Sequence, residues 1–166
     1  MTNIVLPAQN VAIQTPQALV DPTWYEKLKV IESNINTLFS GVAGTLMGQW
    51  KAYTPTAVPS TGAFGAYTTA GRYRQVGKTV NVAIQLTITT NGTAAGNIQI
   101  SLPLIAYSGS GALYQVMYGR EIQIVGHMLQ GAINPGGTTV FVYDYTNSYA
   151  GGTGYVLDLA GTYETN

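Results

Sequence analysis

Few side chains in this sequence could do chemistry. It has one histidine, His127 in the run IQIVGHML, seven acidic residues and no cysteine. Thiol chemistry, disulfides and Cys-ligated metal are therefore excluded. A metal site needs several converging ligands, and His127 has no acidic cluster beside it, so no metal is expected. A hydrolytic triad would combine His127 with a serine and Asp144 or Asp158, yet no G-x-S-x-G elbow is present. Glycoside hydrolysis needs two facing carboxylates, for which Glu121, Asp144, Asp158 and Glu164 are the candidates. Spread over a long β region, they read as solvated positions. The glycine clusters SGSG and GGTG lack the lysine of a phosphate loop and read as turns. Asn91-Gly92-Thr93 fits a glycosylation sequon and reads more simply as a turn. No catalytic residue and no cofactor is expected, and the chain reads as a non-enzyme.

What remains is tyrosine. Of twelve, Tyr143, Tyr145, Tyr149 and Tyr155 crowd around the run DYTNSYAGGTGY, which also carries Asn147. Tyrosine offers an apolar face and a hydroxyl at low entropic cost, which suits both sugar stacking and protein interfaces. These five residues form a candidate ligand loop. Alternate tyrosines on a strand also pack in a core or between subunits, and both readings stand at this point.

The elements that must position such a loop are strands. From Val80 onward every second residue is aliphatic (Val80, Val82, Ile84, Leu86, Ile88), a period of two with one buried face. Asn91-Gly92 then tolerates positive φ, and Ile98, Ile100 and Leu102 resume the alternation, so Lys78 to Leu102 reads as a β-hairpin. Further strands are expected at Arg72 to Lys78, Leu113 to Tyr118, Glu121 to Gln130, Thr138 to Tyr145 and Tyr155 to Tyr163. Thr54-Pro55 and Val58-Pro59 mark an edge strand or an extended lead-in. Seven or eight strands between Gly-rich turns predict an antiparallel β-sandwich of jelly-roll type over residues 49–166.

Upstream, Asp21-Pro22 reads as an N-cap followed by a favoured first helical residue. Trp24, Leu28, Ile31, Ile35, Leu38 and Val42 follow at spacings of 4, 3, 4, 3 and 4, a heptad stripe predicting a helix over residues 21–48. The stripe suits the seam of an oligomeric coiled coil, or an amphipathic helix lying on the β region. Residues 1–20 carry no charge, two prolines and scattered aliphatics, and read as an extended arm that docks on another protein.

Only 8% of residues are charged, against roughly 25% in ordinary soluble domains, and the net charge is zero. No field favours nucleic acid or an anionic membrane, and such a surface suits crowding into an assembly. No secretory signal is expected from MTNIVLPAQN, and no apolar run approaches the ~18 residues of a membrane span.

The run WKAYTPTAVPSTGAFGAYTTAGRYRQVGKTVNVAIQLTITTNGTAAGNIQISLPL, with the closing LDLAGTYETN, resembles the C-terminal β-domain of bacteriophage tail fibres and related virion structural proteins. The likeness lies in the Trp and YTPT lead-in, the GRYRQVGKTV strand pair, the strand ending at NGT, the SLP strand and the final GTY strand, covering roughly residues 50 to 166. It implies a homotrimer located in the virion. The arm would join other virion proteins of the capsid, neck or tail, and the knob would meet a host cell-surface glycan. The alternative it implies is a capsid decoration protein that stabilises the particle without receptor binding. At ~1.5 Å per residue the helix spans only about 35 Å, which suits a stubby spike.

Overall fold

The computed structural model describes residues 22–46 and 48–166. The chain divides after Met47 into two units, each described by itself.

In the first, helix α1 runs from Pro22 to Leu46. Trp24, Leu28 and Ile31 are exposed along it and Ile35 is half-buried. The Lys27 ammonium lies 5.4 Å from the Trp24 ring. Of the stripe, Trp24, Leu28 and Ile31 thus face solvent in the single chain. The side chains of Leu38 and Val42, the expected cap Asp21 and the expected arm 1–20 lie outside the described residues.

The second unit is mainly β. Its nine strands are β1 (Lys51–Tyr53), β2 (Ala57–Thr61), β3 (Ala66–Val76), β4 (Thr79–Thr90), β5 (Ala95–Ser101), β6 (Gln115–Glu121), β7 (Met128–Ile133), β8 (Thr139–Asp144) and β9 (Val156–Glu164). They form one antiparallel sheet in the order β1-β3-β4-β9-β6-β7-β8-β5-β2. Where two packed sheets were expected, one continuous ladder curls into a half-barrel around the core. The curl follows from connectivity. The sheet's two edges, β1 and β2, are joined by Thr54-Pro55-Thr56, and three residues reach only about 10 Å. That link is held from both sides: the Thr69 hydroxyl of β3 donates to the Pro55 carbonyl, and Ser101 of β5 exchanges bonds of 2.8 and 2.9 Å with Thr56. Proline is tolerated at such an edge, and Pro59 lies in edge strand β2.

The alternation read in β4 is real, since Val80, Val82, Ile84, Leu86 and Ile88 are at most 3% exposed. They meet Ile98, Ile100, Val140 and Val142 in one cluster, each side chain contributing roughly 1.5–3 kcal/mol by leaving water. The expected hairpin is not there. β4 pairs with β3 and β9, while β5 pairs with β8 and β2. Asn91 to Ala94 carries the chain across the core, so the two aliphatic faces oppose each other instead of lying side by side.

The expected strand Glu121 to Gln130 also differs: residues 122–127 form a loop, and β7 begins only at Met128. The cause is Glu121, which was read as solvated and is fully buried. Its carboxylate gathers the loop's N–H groups and bends the chain out of the ladder. Asp144, also read as solvated, is buried at 8% exposure.

Candidate binding surface

The convex face of β3, β4, β9, β6 and β7 holds a groove of about 760 Å³. Register explains its composition. Arg72 of β3 lies opposite Ala83, Ala83 opposite Ala160, and Ala160 opposite Tyr118. The parallel row runs Ala70, Gln85, Asp158, Arg120 and Met128. Alanines make a low floor, and longer side chains stand at the sides. Gln85 Nε2 donates to Asp158 Oδ1 at 2.9 Å, which fixes both groups. Arg120 Nε donates to the Gly126 carbonyl at 3.2 Å, and the Arg72 guanidinium sits 4.9 Å from the Trp50 ring. Tyr118 is 67% exposed and presents a bare ring beside these polar groups. The lining contains a single carboxylate and no histidine. It can therefore hydrogen-bond and stack, and it lacks the facing acids that cleavage of a glycosidic bond requires.

At one end of the groove the 122–127 loop is organised by Glu121. Oε1 accepts from the backbone N–H of Gln123 (2.8 Å), Ile124 (3.1 Å) and Val156 (3.2 Å). Oε2 accepts from Ile124 (2.9 Å), Val125 (2.6 Å) and Gly126 (3.0 Å). Burial by itself would raise the pKa of this carboxyl. The hydrogen bonds from Gly126, Gln123, Val125 and Ile124 outweigh it and hold the value at about 2. The charge is consumed internally, so Glu121 is a scaffold for the loop and offers nothing to a ligand.

The tyrosine-rich loop does not converge on one site. Tyr143 is half-buried, and its hydroxyl accepts from Asn97 Nδ2 at 3.0 Å. Tyr149 donates to Asn91 Oδ1 at 2.6 Å, and burial pushes its hydroxyl up to about 12 against the pull of that bond. Tyr155 packs against the core. Tyr145 is 62% exposed, its ring edge-on to that of His127 at 5.4 Å. Asp144 Oδ1 accepts from Thr146 N (2.8 Å), Thr146 Oγ1 (2.7 Å) and Ser148 N (2.8 Å), which closes the turn and lets Asn147 take φ 62°. Burial would raise the Asp144 pKa; these bonds, with nearby His127, lower it instead. Asn147 Oδ1 accepts from Gln130 at 2.6 Å.

Arg72, Gln85, Tyr118 and Arg120 were not singled out in the sequence, and Asp158 was read only as a solvated carboxylate. Each occupies an outward position of its strand, but only the pairing of β4 with β9, and of β9 with β6, brings them together. Among the described residues no group of acidic or histidine side chains is placed to hold a metal ion, and no helix is long and apolar enough to cross a membrane. No protein-family model, curated protein or solved structure matches the chain.

Proposed function

We propose that the chain is a bacteriophage virion structural protein that forms a short trimeric fibre or spike. In this reading residues 1–20 anchor it to other virion proteins, the helix supplies a coiled-coil seam, and the β unit is a knob that binds a host-surface glycan without cleaving it. The groove on the convex face carries the proposal. The protein has only seven basic and seven acidic residues, and three of them, Arg72, Arg120 and Asp158, line this one groove beside an exposed tyrosine ring. A rigid floor with a few fixed polar groups and a stacking face is how a sheet selects a sugar. The groove thereby replaces the Asp144 to Tyr155 loop as the favoured ligand site.

The test is binding of the purified full chain to an array of bacterial surface saccharides, followed by adsorption of particles to cells. Asp158→Ala and Arg120→Ala should each weaken binding about tenfold, the loss of one charged hydrogen bond. Tyr145→Ala and Tyr149→Ala should leave it nearly unchanged. If no saccharide binds and particles lacking the protein adsorb normally but lose heat resistance, the chain is a decoration protein.

A further inference from the structure

Strand β6 is inside out. Its inward positions are Gln115, Met117, Gly119 and Glu121, an amide, one thioether, a glycine and a carboxylate. Its outward positions are Val116, Tyr118 and Arg120, and Ile122 extends the row through a bond from its N–H to the Val156 carbonyl. Val116, Tyr118 and Ile122 are 66%, 67% and 52% exposed. A strand with one buried face places its apolar residues inward. A slip of one residue would reverse the faces, and the register does not slip. Met117 fits over Gly131 and Gly161, whose missing side chains leave it room, and Glu121 is fastened by backbone N–H groups. The fold spends inward positions on polar groups and leaves the apolar ones outside.

The exposed apolar surface continues past both ends of the strand. Leu113 and Tyr114 precede it at 78% and 69% exposure, and Ile124 and Val125 follow at 59% and 40%. With Val116 and Ile122, these exposed fractions amount to between three and four whole side chains. At roughly 200 Å² each that is on the order of 700 Å², close to the ~800 Å² that each partner contributes to a stable interface. It also exceeds the ~300–600 Å² of the largest patch on a typical monomer. Tyr118 and Met128, which border the groove, add to it.

We propose that this band is where the knob of one copy packs on the knob of another. The area matches what two equal partners need. The zero net charge means no long-range repulsion opposes two identical chains, and the band's own row contributes a single charge, Arg120. The inference deepens the oligomeric part of the proposed function by giving the knob a contact independent of the helix, and it needs no glycan. It also places the groove beside the contact, with Tyr118 between the two.

The absence of cysteine makes the test clean. Val116→Cys, Ile122→Cys and, as a control four strands away on β2, Thr61→Cys are made in the full chain, and reaction with a maleimide is timed beside light scattering. Expected is a mass that is a multiple of 17.6 kDa, with Cys at 116 and 122 reacting at least tenfold more slowly than at 61, and the difference vanishing on dilution to monomer. Equal rates at all three positions in the oligomer would overturn the proposal. So would protection at 116 and 122 in a monomer, since the cover then comes from the chain itself. Charges at Ile31 and Ile35 separate this result from the coiled-coil reading: if they leave the mass unchanged while 116 stays protected, the seam is wrong and the knob contact stands.

Discussion

Replacing Glu121 by Gln tests whether one buried charge sets the shape of the 122–127 loop. The carboxylate accepts from the N–H groups of Gln123, Ile124, Val125, Gly126 and Val156. An amide keeps one oxygen, so whichever way it turns, its NH₂ faces at least two N–H donors that lose their acceptor. At about 1–3 kcal/mol for each stranded donor, the loss is roughly 2–6 kcal/mol. The pKa gives an independent figure. A fall from 4.5 to about 2 corresponds to roughly 3 kcal/mol at neutral pH. Because the folded value lies below the unfolded one, the contribution is complete above the unfolded pKa and fades as pH falls toward 2. About 2 kcal/mol of it should disappear between about pH 6 and about pH 3. Denaturant unfolding of both proteins across that range is the assay. The gap of about 3 kcal/mol at neutral pH should narrow to about 1 kcal/mol at about pH 3. Asp144, whose pKa is also lowered, titrates in both proteins and cancels in the comparison. A gap that stays constant with pH would refute the reasoning, because the loss would then be one of shape and not of charge.

Gly119→Ala should cost about 3 kcal/mol, since the added Cβ would lie 2.2 Å from the Asp158 carbonyl oxygen in a ladder that cannot open locally; thermal unfolding reads it. Asn91→Ala removes the acceptor of the Tyr149 hydroxyl and the bond to the Ala94 carbonyl, so about 1–3 kcal/mol should go, with a further rise in the tyrosine's pKa, no longer held down by that bond, measurable by absorbance. Asp at Ile31 and Ile35 together should dissociate the oligomer if the helix is its seam, because unpaired charges in an apolar contact are costly, and sedimentation checks it.

Much of the fold was legible where a strand obeys period two. β4, β5, β8 and β9 fall where alternating Val, Ile and Leu place them, because each has one buried face. β6 was read as a strand over Leu113 to Tyr118, but its facing and the loop after it were not legible, since there the periodic apolar residues face outward and the buried group is a carboxylate. A residue pattern tells which face is greasy, not which face is covered. Pairing was the other gap. Asn91-Gly92 signals a turn whether the chain folds back beside itself or crosses to the far side of a core, so β4 and β5 looked like neighbours. The groove was hidden for the same reason, as Arg72, Gln85, Asp158 and Arg120 meet only through that unforeseen strand order.

Strand β9 lies inside the sheet, fourth of the nine strands in order. β9 is flanked by β4 and β6, with Thr79 opposite Glu164 and Met117 opposite Gly161, so residues far apart in the chain close the core together. Without Val156 to Glu164, β4 and β6 each lack a neighbour and Leu157, Leu159 and Tyr163 are missing from the core. Assembly of the β unit therefore waits on β9 and is slow, dominated by distant pairings. A product that stops short of Val156 is left with an open seam instead of a shortened knob. The topology thus makes closure of the core depend on a segment far in sequence from the two strands it joins.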